Sequence, residues 1–579
     1  MKKNTLKKMT LLIGCFLFSL TASAQITSAG IGNWNETTTW VGGVVPTSSD
    51  DVTILHRVTI PSGENAVAKS IFSGASPAQI IIRESASLTV VGNIILTRTN
   101  DGIFVFGYGP TYKMGTIIFG GINVNRTRIR QSLPRDEWHL VSHPFLDSRI
   151  DFTTHPTNAI FNNLVDLDGG KKSLAFYNDS LDEESKYVFY NQSPKPPGTM
   201  KIAGGYLIKV DDLDFAGGTT HEFTMTGIMH EGSVFATISD AGKGYNLVGN
   251  PYLSYLNANT AAHATNNLLS ANASVLEEQT IWLWDGINKV FVTKNLGDEA
   301  FRVNPIQGFF VKAKAGGGLE QSLGFNKNME SHISTNPFSK TSTGRFEVGL
   351  SLTINGVSKK TSIRYDENQT TDFDNGYDSS IFDGYSTFDG KNVGEHIFTE
   401  LIQNNTGKKL AIQSLPNSDY ENMIIPLGVN ATAGIELTFS AEVLNLPTGI
   451  QIFIEDRALN TMTRLDEADT SYKVTTSDAL SSSGRFYLHT KSNGSLSTDS
   501  LILQSVSVYK TADDVLIING LKGEKASIKL YNILGKQIMN NQFQPKGVTE
   551  IALPKLAKGL YIVQIETEMG NLNKKIILE

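Results

Sequence analysis

Apolar and polar residues alternate with period two in short runs along most of the chain, and turn-forming clusters interrupt the runs every ten residues or so. Phe346 to Ile354 and Gly484 to His489 place every second side chain on one face, as a half-buried strand requires. Between Asp50 and Leu96 the runs shorten to Asp50 to Ile54, Val58 to Ile60, Ala68 to Ile71, Gln79 to Ile82, Ser87 to Val90 and Asn93 to Leu96, punctuated by Gly and Ser. Strands this short bury an apolar face only by stacking rung on rung, so the spacing predicts a small β-solenoid. Trp34 and Trp40 precede it and are placed to cap its open end. Helical periodicity is scarce; the Ala-, Leu- and Asn-rich stretch from Thr260 to Leu276 is where a helix is predicted.

The middle of the chain repeats itself. Trp138-His139-Leu140-Val141-Ser142-His143-Pro144-Phe145 aligns with Tyr245-Asn246-Leu247-Val248-Gly249-Asn250-Pro251-Tyr252, and Tyr177-Asn178 with Trp284-Asp285, all at an offset of 107. Lys186-Tyr187-Val188-Phe189 then meets Lys289-Val290-Phe291-Val292, and Gly205 to Lys209 meets Gly308 to Lys312, at an offset of 103. A single four-residue deletion in a turn accounts for the change. The proline after each L-V-x-x run ends a strand, because it cannot donate to a central ladder.

These patterns divide the chain into a leader at 1–24, a solenoid-like domain at 25–129, two β-repeat units at 130–235 and 236–330, a sandwich-like module at 331–504 and a final β-domain at 505–579. The expected fold class is all-β: a short N-terminal β-solenoid-like segment, tandem β-sandwich-like modules and a C-terminal Ig-like domain.

The leader has basic Lys2, Lys3, Lys7 and Lys8, an apolar run from Leu11 to Leu20 and the small-residue site Ala22-Ser23-Ala24, the layout of a secretory signal peptide cut after Ala24. Leu12-Ile13-Gly14-Cys15 resembles a lipobox, but the apolar core continues past Cys15 and the better cleavage site lies beyond it. Cys15 is the only cysteine, so cleavage at Ala24 leaves no thiol chemistry and no disulfide. Losing the four lysines takes the formal charge from −7 to −11, an acidic balance that argues against nucleic acid and anionic membranes. No later apolar run reaches the ~18–20 residues of a transmembrane helix.

Candidate chemistry is sparse. His221-Glu222 and His230-Glu231 start like zinc-peptidase motifs and lack the second histidine. His139 and His143, with His155 nearby, suit a metal pair, but the repeat puts Asn246 and Asn250 at their positions, which favours hydrogen bonding. Asp372, Asp374 and Asp378 form the densest acidic loop; it is either a solvated turn or a calcium site, without the full EF-hand spacing. Trp282 and Trp284 share a strand face that would stack on sugar rings, although Ile281 and Leu283 make the other face apolar and favour burial. No G-x-S-x-G, P-loop or dinucleotide fingerprint occurs, and no catalytic residue is assigned.

The ends of the chain carry resemblances. Trp40-Val41-Gly42-Gly43-Val44-Val45-Pro46, followed by the short solenoid, resembles the N-terminal segment of many surface proteins of Bacteroidetes-type bacteria. Ala526 to Lys536, Leu553 to Ile565 and the closing Lys574 to Leu578 resemble the type A C-terminal sorting domain of the type IX (Por) secretion system, an Ig-like β-sandwich. By that match Gly535, Gly559, Tyr561 and Lys575 are carried over as sorting-signal positions. Val506 to Thr511 departs from the family's usual Pro-Asn-Pro, which leaves the start of the domain open. The resemblance implies a domain read at the outer membrane and cut off, with the remainder released or attached to surface lipopolysaccharide. Its partners would be the type IX machinery and a sortase-like processing enzyme.

The expectation is therefore a secreted or outer-surface protein that displays binding or adhesin-like modules without catalysing a reaction. It would need no cofactor beyond the calcium that the acidic loop admits, and an extracellular glycan or protein would be its ligand. The alternatives are a polysaccharide-active enzyme of the β-solenoid lyase kind and a structural coat component.

Overall fold

The computed structural model describes residues 25–492 and 506–578, apart from 75–76, 109–112, 125, 135–136, 147, 150–163, 192–198, 211–219, 336–343, 386, 389–390, 393–394, 419, 421–422, 511–514, 522–524, 533–534, 558 and 568–569. His155 lies outside the described residues. The protein is all-β and divides into two units, one of Met1–Thr343 with Asp374–Glu395, the other of Gly344–Phe373 with His396–Glu579.

The first unit begins with a solenoid of two parallel sheets. One runs in the order Gln25–Thr27, Asp51–Ile54, Ser70–Ser73, Ser87–Leu96, Thr116–Val124; the other in the order Gly32–Asn33, Arg57–Ile60, Gln79–Ile82, Gly102–Tyr108, Thr127–Pro134. Register stacks like residues into ladders: Ile60, Ile82, Val105 and Ile129 align across four strands and are all fully buried. Rungs about 4.8 Å apart put such side chains in van der Waals contact, which is how four-residue strands acquire a core. The Ala68 to Ile71 run is two strands rather than one. Asn65–Ala68 and Ser70–Ser73 break at Lys69, and both pair with the long bent strand Ser87–Leu96.

Trp34 and Trp40 close one end edge-to-face, 5.0 Å between centroids, with Trp40 Nε1 donating to the Trp34 carbonyl at 2.8 Å. At the other end Thr220–Gly227 pairs antiparallel with Thr127–Pro134 and ends the parallel stack. That strand, which sequence spacing assigns to the first repeat unit, is part of a solenoid sheet.

The two repeat sheets share one topology. Trp138–Ser142, Gly205–Lys209, Lys171–Tyr177 and Tyr187–Asn191 neighbour in that order; Tyr245–Gly249, Gly308–Lys312, Thr280–Asp285 and Val290–Asn295 do the same. Trp138 pairs with Lys209 as Tyr245 pairs with Lys312, the register the two offsets require.

The copies also meet each other reciprocally. Val141 bridges Gln307, and its counterpart Val248 bridges Gly204, the counterpart of Gln307. Ser142 N–H donates to the Ile306 carbonyl at 2.7 Å, and Gly249 N–H to the Ala203 carbonyl at 3.0 Å. Such an exchange of equivalent contacts is what a two-fold axis produces, here within one chain. Ala203 and Ile306 both sit at positive φ, 59° and 54°. This conformation is rare for a β-branched residue, and at both places the turn aims its carbonyl at the opposite copy.

The predicted Thr260 to Leu276 helix shrinks to one turn, Leu268–Ala271. The asparagines explain it. Asn259 Oδ1 accepts from Ala262 N–H, Asn267 Nδ2 donates to the His263 carbonyl and Asn272 Nδ2 to those of Leu268 and Gly324, so side chains take up the backbone groups a helix would pair.

In the second unit, Phe346–Ile354, Val357–Asp366, Leu410–Pro416, Ile424–Ala431, Glu436–Leu444, Ile450–Asp456 and Leu480–Ser492 belong to one large sheet around Leu350, Ile363, Leu427, Phe439, Ile452 and Leu488. Phe346–Ile354 is buried on both faces at its centre, since Ser351 is covered as well as Leu350 and Leu352. The tail has its own core of Leu516, Ile518, Ile528, Leu530, Val563 and Ile565 between two sheets.

Candidate functional site

The tail's sheets are Ser507–Lys510, Val515–Leu521, Gly547–Ala552 and Gln537–Phe543, Ala526–Asn532, Gly559–Thr567, Gly570–Leu578, a sandwich of the Ig-like kind. Ser507–Lys510 pairs with Val515–Leu521, and Val506 is buried in the same core, so the sandwich begins before residue 511. Gly535 has φ +75°; its N–H donates to the Asn532 carbonyl at 3.0 Å, while Asn532 Oδ1 takes the Lys536 N–H at 2.9 Å. A left-handed residue is needed to close that hairpin, which is the physical reason for glycine. Gly559 opens the Gly559–Thr567 strand opposite Leu578, and Tyr561 is buried with its hydroxyl donating to the Ala557 carbonyl at 3.0 Å. Lys575 lies on the last strand opposite Ile562 and is exposed. Gly559, Tyr561 and Lys575 therefore share one strand pair, and Gly535 lies on the neighbouring hairpin.

The other candidates behave differently. Trp282 and Trp284 are 0% and 8% exposed, and their Nε1 atoms donate to the Ser380 and Trp138 carbonyls at 3.0 Å each. A sugar-stacking face is not available there, because both indoles fill the junction between the copies with Tyr245, Phe310 and Phe382. Asp378 is fully buried and its carboxylate accepts the Asp374 N–H at 2.7 Å, closing a turn whose Asn375 accepts from Gln279 N–H. Asp372 belongs to the second unit, where its carboxylate accepts from Asn404 Nδ2 at 2.8 Å. Among the described residues no group of three or more His, Cys, Asp or Glu side chains gathers as a metal site.

His139 Nε2 lies 3.1 Å from the Pro134 carbonyl, and burial pushes its pKa down to about 4. His143 is fully buried, edge-on to Phe145. Their counterparts Asn246 and Asn250 bond the Ser239 and Gly244 carbonyls and the Ser254 and Asn304 carbonyls. His139, Asn246 and Asn250 tie strand ends to neighbouring turns, and His143 packs in the core against Phe145.

Two features escaped the sequence reading. The first is a buried network: Asp179 Oδ1 accepts from Lys186 Nζ and the Tyr177 hydroxyl, both at 2.7 Å, and Oδ2 from the Lys243 and Tyr245 N–H groups at 2.7 and 3.0 Å. Burial, with Asp179 next, holds the Tyr177 hydroxyl far above its ordinary range. Lys186 also donates to the Gly384 carbonyl at 3.1 Å, and the Tyr177 hydroxyl lies 2.8 Å from the same oxygen, which ties the 374–395 segment to the repeats. A buried pair with every lone pair used fixes geometry, and removing one partner leaves the other charge stranded.

The second is a basic face. Arg126, Arg128 and Arg130 alternate with buried Thr127 and Ile129 on the last solenoid rung. Register sets Arg128 beside Phe104 and Arg130 beside Phe106. The Arg83 and Arg130 guanidinium carbons lie 5.0 and 5.9 Å from the Phe106 ring centroid. The alternation R-T-R-I-R was the available signal.

A family described as Domain of unknown function (DUF8693) matches residues 27–489, and one described as Secretion system C-terminal sorting domain matches residues 511–579. No curated protein matches. A solved structure titled Biofilm associated protein - BSP domain is similar at 10% identity over 78% of this chain and 91% of its own, with a TM-score of 0.13. The sorting domain makes the chain a type IX secretion cargo, secreted or attached to the cell surface. Matched over most of its length, the chain belongs to the family described as Domain of unknown function (DUF8693).

Proposed function

We propose that this protein is a non-enzymatic display protein: its body presents a binding surface outside the cell, and its tail is an address removed on arrival. The observation that carries the reading is the tail's own core, in a sandwich whose matched positions gather on adjoining strands. The use of the buried ionisable groups supports the non-catalytic part. Asp179, Lys186 and Asp378 spend their hydrogen-bonding capacity pinning turns and segments, as scaffold groups do. A sortase-like enzyme would take the tail as substrate, leaving the body free or joined to surface lipopolysaccharide.

Deleting residues 505–579 tests the address: the truncated chain should collect in the periplasm, and its normal appearance on the surface would refute the reading. Incubating the purified mature protein with a panel of polysaccharides tests the other half. Depolymerisation of any of them would replace display with catalysis.

A further inference from the structure

The outward positions of the second solenoid sheet form three rows across the strands. Register aligns Arg57 with Gln79 and Gly102, beside Arg126; Thr59 with Ile81, Phe104 and Arg128; and Arg83 stands beside Phe106 and Arg130. With strands about 4.8 Å apart and alternate residues about 6.7 Å apart, the five arginines cover a patch on the order of 14 by 13 Å. No carboxylate occupies any of these positions, in a chain whose formal charge is −7. Arg57 and Arg83 are exposed, and Arg126, Arg128, Arg130, Phe104 and Phe106 are half-buried. The Arg128 guanidinium is held below its ordinary pKa by burial and then by Arg126 and Arg130, so like charges press on it.

Guanidinium groups clustered on one face raise the local positive potential and attract anions to it. Guanidinium forks match sulfate and carboxylate oxygens in pairs, and the Phe104 and Phe106 rings between them offer an apolar floor for a sugar ring. We propose that this solenoid face binds an anionic polysaccharide, sulfated or uronate-bearing, with Arg128 and Arg130 at the centre of the contact. This deepens the display reading above and rests on it, since the ligand must lie outside the cell. Nucleic acid fits less well. Its charges fall about every 1.7 Å along the duplex, and the acidic remainder of the protein would repel so dense a polyanion.

The test uses the full exported protein, purified after signal-peptide removal, and an Arg128→Ser/Arg130→Ser double variant. Affinity electrophoresis in gels containing dextran sulfate, alginate, neutral dextran or double-stranded DNA reads the binding. Expected are retardation by dextran sulfate or alginate, none by neutral dextran, and at least tenfold weaker binding by the variant with an unchanged melting curve. Equal retardation of variant and wild type, stronger retention by DNA, or no retention by either anionic glycan would overturn the proposal. An Arg128→Lys/Arg130→Lys variant guards against misfolding; it should keep part of the binding because it keeps the charge. Surface display of the serine variant is scored in parallel. Normal display of the wild-type protein without glycan binding sinks this inference alone, whereas surface display after loss of the tail sinks the reading beneath it.

Discussion

Gly249 and Ser142 hold equivalent places in the two copies and face each other across their shared axis. A methyl group at Gly249 would lie 2.3 Å from Ser142 Cβ and 2.6 Å from its Oγ, closer than non-bonded atoms tolerate. Gly249 is absent from the positive-φ residues, so the obstacle is steric rather than torsional. Gly249→Ala should then cost about 1–3 kcal/mol, the usual range for overpacking a core. Ser142→Gly should cost only about 0.5–1 kcal/mol from backbone entropy, because Ser142 Oγ is buried with no hydrogen-bond partner among the described residues to lose. Ser142→Gly removes the Cβ and Oγ contacts and leaves the backbone Cα, 2.9 Å from the added methyl, so the double variant should recover most of the Gly249→Ala cost, with a coupling of about 1–2 kcal/mol. Tryptophan fluorescence during urea unfolding reads this cleanly, since all five tryptophans (34, 40, 138, 282 and 284) lie in the first unit. The variants should move the midpoint and leave the slope alone. Costs that add to within about 0.5 kcal/mol would mean that the two positions do not meet, and the two-fold packing of the copies would fall.

Other perturbations bear on separate parts of the account. Trp282→Ala empties the aromatic junction of a fully buried ring and should cost about 3–5 kcal/mol in the same fluorescence assay; a loss below 1 kcal/mol would contradict its burial. Gly535→Val puts a β-branched residue at φ +75° and should cost the tail about 1–2 kcal/mol, seen as slower processing of the exported chain; unchanged processing would detach the turn from sorting. His139 and His332 are held neutral by burial, each down to about 4, whereas an unfolded imidazole titrates near 6.5. The unfolded chain binds more protons in that window, so stability should fall by up to about 3 kcal/mol per ring between pH 6.5 and 4. Glu330, raised to about 7 by burial, acts oppositely, losing stability as pH rises from about 4.5. His332→Gln should flatten the acid limb relative to wild type in urea melts at pH 7 and pH 5, and an identical pH profile would reject the assignment.

The repeat was legible because strands keep their pairing partners at fixed offsets, so 107 and 103 in the sequence reappear as register between Trp138 and Lys209 and between Tyr245 and Lys312. The reciprocal contact of Val141 with Gln307 was not legible, since it joins segments whose nearness depends on how two finished sheets pack. Thr260 to Leu276 misled through composition: Ala and Leu favour helix, but three asparagines bond the backbone first. The tryptophan pair was readable as core from Ile281 and Leu283 alone. The Arg83–Phe106–Arg130 cluster needed register, which places Arg83 and Arg130, 47 positions apart, on the two rungs that flank Phe106.

The central claim, that the body is cargo and the last sandwich its label, meets its most direct test in C-terminal mass spectrometry of this protein from culture fluid and washed outer envelope. The account predicts chains found outside to end upstream of the buried strand core that starts at Val506. External chains that still reach Glu579, or an absence of the protein from both fractions, would contradict it.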